Sequence, residues 1–190
     1  MRSRTANWFI CKIRYEKVME DGVQRKVTET YVVDALSFTE AEARITEEMS
    51  AYISGEFEIV EIDRAAFKEI FFMGFGEKVL HNQTDDLTKA IQKKDGDSLK
   101  KVYDRSLEEQ MKNTDTRWYK AKLQFITIDE KTEKEKKSNV LYLVEGTSLE
   151  SARKNIDEVM GGTMIDYVIY AVSETPILDV YEYVKKDNND

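Results

Sequence analysis

The sequence predicts an α+β protein of two tandem β-β-α-β-β units, forming a pseudo-symmetric pair joined by a helical insertion. Three observations predict it. Trp8-Phe9-Ile10-Cys11-Lys12-Ile13-Arg14-Tyr15 and Trp118-Tyr119-Lys120-Ala121-Lys122-Leu123-Gln124-Phe125 open two stretches of one plan. Both openings alternate with period two, as half-buried strands do. Each leads to a helical pattern introduced by a capping residue, Ser37 in one and Thr147 or Ser148 in the other.

In the first unit, residues 8 to 15 place Phe9, Cys11, Ile13 and Tyr15 on one face, and Trp8, Ile10, Lys12 and Arg14 on the other. Glu20-Asp21-Gly22 is a hairpin turn signal. Residues 27 to 35 form the return strand, with Tyr31, Val33 and Ala35 sharing a face. Ser37 with Glu40 three positions on makes a capping box. Phe38, Ala41, Ile45, Met49 and Tyr52 then line one apolar helical stripe. Ser54-Gly55 ends the helix, with glycine expected as a left-handed stop. Residues 57 to 62 and 67 to 72 read as a third and a short fourth strand.

The second unit repeats the order. Tyr119, Ala121, Leu123 and Phe125 form its apolar strand face, and residues 129 to 138 form a charged loop in place of the tight turn. Residues 140 to 145 return, and Thr147 or Ser148 caps a helix striped by Leu149, Ala152, Ile156 and Val159 or Met160. Gly161-Gly162 stops it. Residues 167 to 172 match 57 to 62, and 177 to 181 match 67 to 71. Pro176, the one proline, stands at the entry to that last strand. The units run at an offset of 110 or 111 throughout, which marks a duplication. Boundaries follow at 7–72 and 117–184 for the units, 73–116 for the helical connector, and 185–190 for a polar tail. A helix stripe needs a sheet face, so each unit is expected to be a small antiparallel layer covered by its helix.

Of the 190 residues, 41% are hydrophobic and 35% charged, with net charge −8. That fills cores and gives a charged surface. No apolar run reaches the roughly 20 residues of a membrane span, and Met1 to Asn7 does not read as a secretory signal, so no membrane role is expected. Cys11, the one cysteine, cannot form an internal disulfide. These features fit a cytoplasmic protein.

The opening Trp-Phe-Ile-Cys-Lys-Ile-Arg-Tyr, with Tyr31-Val32-Val33-Asp34-Ala35-Leu36-Ser37-Phe38-Thr39-Glu40-Ala41-Glu42-Ala43-Arg44 and Tyr52-Ile53-Ser54-Gly55-Glu56-Phe57, resembles an uncharacterised family of Bacteroidetes proteins also met in their phages and mobile elements. The resemblance covers both units and is closest over residues 7 to 72. Relative to shorter members, 73–116 looks like an insertion. The resemblance implies a bacterial or phage intracellular setting and hands down no site residue.

No catalytic residue, metal ligand or cofactor is assigned. His81, the one histidine, has no nucleophile beside it in sequence. Cys11 falls on the apolar strand face, where a buried small side chain is the ordinary reading. Asp85-Asp86 and Glu47-Glu48 are neighbours that do not converge on a helix. Gly74-Phe75-Gly76 lacks the ending of a phosphate loop. The sharpest constellation is the non-helix face of each opening strand. It carries Trp8, Lys12 and Arg14 in one unit, and Trp118, Lys120 and Lys122 in the other. Ring plus cation suits stacked bases and phosphates of a single strand. Asp34, Glu145, Val32, Leu141 and Leu143 share that face and suit packing instead. The expectation is a non-catalytic binding or interaction protein with a protein partner or self-association. Single-stranded nucleic-acid binding is the first alternative, and ligand sequestration in a pocket between the units the second.

Overall fold

The computed structural model describes residues 1–73 and 116–183. The expected connector helices, His81, Asp85-Asp86, Gly74-Phe75-Gly76 and the 185–190 tail lie outside the described residues. A short strand β1 (Arg2–Arg4) precedes the first unit. That unit is β2 (Trp8–Val18), β3 (Gln24–Asp34), α1 (Phe38–Tyr52), β4 (Phe57–Arg64) and β5 (Phe67–Phe72). The second is β6 (Arg117–Ile128), β7 (Glu135–Gly146), α2 (Leu149–Met160), β8 (Asp166–Glu174) and β9 (Ile177–Tyr181). The chain is α+β, with the β-β-α-β-β order present twice.

The expected closed antiparallel layer is corrected by the sheets. Their strand orders are β1-β5-β7-β6-β8 and β4-β2-β3-β9. Each unit's fourth strand has crossed into the other's sheet. β5 pairs parallel with β7, and β9 pairs parallel with β3. Both sheets are therefore mixed. The cause is readable in β5. Ile70, Phe71 and Phe72 are consecutive buried residues, so this strand needs apolar cover on both faces. Only two residues, Ala65 and Ala66, separate β4 from β5. Ala65 N–H donates to Trp8 O at 2.8 Å, and the corresponding Thr175 N–H donates to Trp118 O at 2.9 Å.

Three cores result. Phe9, Cys11, Ile13, Tyr31 and Val33 pack under Ala41, Ile45 and Met49 of α1. Tyr119, Ala121, Leu123, Tyr142 and Val144 pack under Ala152, Ile156 and Met160 of α2, together with Phe71 from the exchanged strand. The third core lies on the sheet faces turned away from the helices. It joins Trp8, Val32, Ile177 and Val180 of one sheet to Ile70, Phe72, Trp118 and Leu143 of the other. The layers therefore run helix, sheet, sheet, helix. Each exchanged strand also stacks an aromatic ring on its host. Phe71 lies on Tyr142 with centroids 5.0 Å apart, and Tyr181 lies on Tyr31 at 5.8 Å.

Local details refine the reading. Ser37 Oγ accepts from Glu40 N–H, and Ser148 Oγ accepts from Ser151 N–H, as N-caps do. The side chains of Glu40 and Ser151 reach back to the N–H of Leu36 and Thr147. Helix ends differ from expectation. α1 stops at Ile53 in extended conformation, and Gly161 caps α2 at φ −60°. Neither Gly55 nor Gly162 is left-handed. The 129–138 loop is shorter than read. β7 begins at Glu135, whose charged neighbours pair across the sheet with Ile126 to Ile128. The turn at Gly22 has φ +77°, and the longer turn after Asp129 puts a non-glycine, Glu133, at φ 54°. That one extra turn residue moves the offset between units from 110 to 111.

Pleat irregularities repeat as well. Val60 is an extra residue in β4 opposite Lys12/Ile13, and Tyr170 one in β8 opposite Lys122/Leu123. Lys68 and Leu178 are likewise unpaired in the exchanged strands.

Candidate functional site

The two tryptophans are where the sequence and the structure part. Trp8 is 2% exposed and Trp118 5%, both inside the central core. Phe72 meets Trp118 edge-on at 5.4 Å, and the Arg4 guanidinium lies 5.9 Å from the Trp8 ring. Neither indole can stack a base in this arrangement. The reason is the strand exchange, which brings a second sheet over each ring. The cations fare differently. Lys12 is held by Glu61, which its hydrogen bond pulls below the ordinary carboxyl range. Arg14 lies 3.9 Å from Glu58. Lys120 is exposed, and Lys122 Nζ sits 4.9 Å from the centroid of Tyr170. The expected platforms are therefore not assembled, and their cations lie outside the central core.

Burial brings together a different set. Trp8 is directly opposite Asp34, and Trp118 opposite Glu145. Both acids are buried, and burial raises both carboxyls above their ordinary values. Each draws in residues from outside its own strand pair. Arg4 pairs with Asp34 at 2.5 Å and with Glu182 at 3.2 Å, and donates to Tyr183 O at 2.9 Å. Arg2 closes the same cluster on Glu182 at 2.5 Å and holds that carboxyl below its ordinary value. Glu145 accepts from Met73 N–H at 2.8 Å and from the Thr116 side chain. The helices back this arrangement: Arg44 donates to Asp34 O, and Asn155 donates to Glu145 O at 2.9 Å. The sequence signal for this set was weak. Asp34 and Glu145 read as sheet decoration, and the arginines of β1 stood before the first recognised strand.

Other candidates resolve simply. Cys11 is fully buried, and burial pushes its thiol up to about 12. It is a packing residue rather than a thiolate nucleophile. Among the described residues, no group of three or more His, Cys, Asp and Glu is placed to hold a metal ion. No described helix is long and apolar enough to cross a membrane.

Between the units, where the second alternative placed a ligand pocket, lie the side chains of the central core. Open grooves lie on the outer surfaces instead. One, of about 560 Å³, runs between the ends of β2, β3 and β4, lined by Arg14, Glu16, Gln24, Lys26 and Phe57 among others. Another, of about 470 Å³, runs between α2 and β8, lined by Leu149, Glu150, Arg153, Ile169, Tyr170 and Val172. Tyr170 is 65% exposed and Leu149 is exposed beside it. At the matching position of the first unit, Phe38 stands edge-on to Phe9 at 5.1 Å with Arg64 over both rings. The two units differ here.

No curated protein and no solved structure matches this chain. A family model matches it twice, over residues 7–94 and 77–183. Each match takes in one β-β-α-β-β unit. On those two matches, the chain belongs to the family described as Domain of unknown function (DUF4494).

Proposed function

We propose that this is a non-catalytic binding protein that engages a protein partner through the outer surface of its second unit. The observation that carries the reading is the α2/β8 groove, with exposed Tyr170 and Leu149 on its rim. A half-exposed apolar groove with a cation, Arg153, and an anion, Glu150, is the surface chemistry of a protein contact. The buried polar groups support the same view. Asp34, Glu145 and Glu182 are engaged by Arg4, by Met73 and Thr116, and by Arg2, and Cys11 is sealed. The setting is bacterial or phage and intracellular, as the family resemblance implies. Photo-crosslinking from position 170 in cells, with position 18 as an exposed control, tests the proposal. A discrete adduct specific to 170 and abolished by Leu149→Asp is expected. Equal labelling from both positions defeats it.

One observation favours single-stranded nucleic acid as a second reading. Lys122 over the exposed Tyr170 ring, near Lys120, supplies on β6 and β8 the ring-and-cation pairing that the tryptophans do not. That reading predicts oligonucleotide binding with a steep salt dependence, lost in Tyr170→Ala and in Lys122→Ala. No binding at low salt eliminates it.

A further inference from the structure

The surface that the fold defines most fully is the one between its own halves. We infer that the two units are self-sufficient partners: the chain cut in its connector persists as a tight non-covalent pair. Four observations lead there. First, the exchange is reciprocal. β5 completes the sheet of β7, and β9 completes the sheet of β3. A unit deprived of its donor would expose the backbone edge of its return strand and the ring of Tyr31 or Tyr142. Second, the donated strands reach the host's interior. Phe71 belongs to the core beneath α2, and Tyr181 packs on the core beneath α1. Third, the exchanged strands and the strand pairs that receive them repeat one pattern. Phe71/Tyr142 matches Tyr181/Tyr31, the unpaired Lys68 matches Leu178, and Trp8/Asp34 matches Trp118/Glu145. An interface whose two sides repeat one pattern is what two identical units form about a two-fold axis. Fourth, the connector spans no distance that the fold requires. Its ends leave from β5 and β6, which flank β7 on either side, so they stand two strand spacings apart, about 10 Å. Both ends also bond to one carboxylate, that of Glu145.

The test is a specific protease site placed between residues 83 and 92 of the full chain and cut after folding. Native mass spectrometry and size exclusion should find both fragments in one species, with the mass of the intact chain plus one water. That species should survive dilution to about 100 nM, the range of stable complexes. Its melting midpoint should become concentration-dependent, unlike that of the uncut chain. Amide exchange in β5 and β9 should stay as slow after cutting as before. Fragments that separate, aggregate, or lose protection in those two strands overturn the inference. In the cut protein, Phe71→Asp should release the fragments and the exposed neighbour change Lys68→Asp should not. If both variants dissociate alike, the exchanged strand's buried face is not what holds the pair.

Discussion

Glu145 is an acid in a place that resists its charge. Burial raises its carboxyl above the ordinary 4.5, while the Met73 N–H and the Thr116 side chain pull the other way. The folded state therefore holds this proton more tightly than the unfolded chain does. Stability from this group rises as pH falls from neutral through the raised value, and is lost as pH climbs past it. Glu182 has the opposite sign. Its carboxyl is held low by Arg2, so its contribution is present above the ordinary value and disappears on acidification. Glu145→Gln should melt no lower than the parent at pH 7.5, and its relative advantage should shrink toward pH 4.5. Thermal melts at the two values check this. A second residue, Glu133, stands at φ 54°, where side chains are strained. Glu133→Gly should stabilise by up to about 1 kcal/mol in denaturant titration, since glycine takes that conformation freely. At this scale the sequence was legible where a residue faces its own strand or helix. Trp8 and Lys12 were placed on one face correctly. What covers that face was not legible, because the covering side chains come from residues 70 to 180.

Among the elements, both helices were readable from cap and stripe, since a helix is a local structure with a local signature. The stripes prove narrower than read. Ala41, Ile45 and Met49 are buried, while Phe38 and Tyr52 are exposed at the ends. The hairpins were found, but the second turn was overextended, because charged residues on a protruding ribbon look like a loop. The fourth strands were located at their positions with the wrong partners. Pairing is non-local, and only the unbroken Ile70-Phe71-Phe72 run hinted at cover on both faces. One close approach between elements offers a test. A Cβ on Gly146, at the end of β7, would sit 2.9 Å from the backbone N of Ala152 in α2. Gly146→Ala should therefore cost about 1–3 kcal/mol, the range for overpacking. Chemical unfolding measures it, with Gly162→Ala, which meets nothing within 4 Å, as the silent control.

For the molecule as a whole, strand exchange makes two sequence units one cooperative body. Phe71 belongs to the first unit by sequence and to the second by packing. Phe71→Ala should lower stability by about 3–5 kcal/mol, as for a fully buried aromatic. It should also leave a single transition, with amide protection in α1 and α2 lost together. Two separate transitions in calorimetry would show that the units melt independently. The same interlocking decides which surfaces remain for a partner. The faces that carry the tryptophans are consumed in joining the units, and the outer grooves beside α2 and β4 are left.

The paired irregularities at Val60 and Tyr170 bear on how this protein behaves in a crowded cell. Among the described strands, β4 and β8 each form one margin of their sheets, with β9 and β1 at the other margins. A flat margin of that kind invites chain-to-chain zippering. β4 and β8 each carry one surplus residue midway, which breaks the register that a strand docking there would have to follow. The irregularity stands at the same place in both units, at a valine in one and a tyrosine in the other.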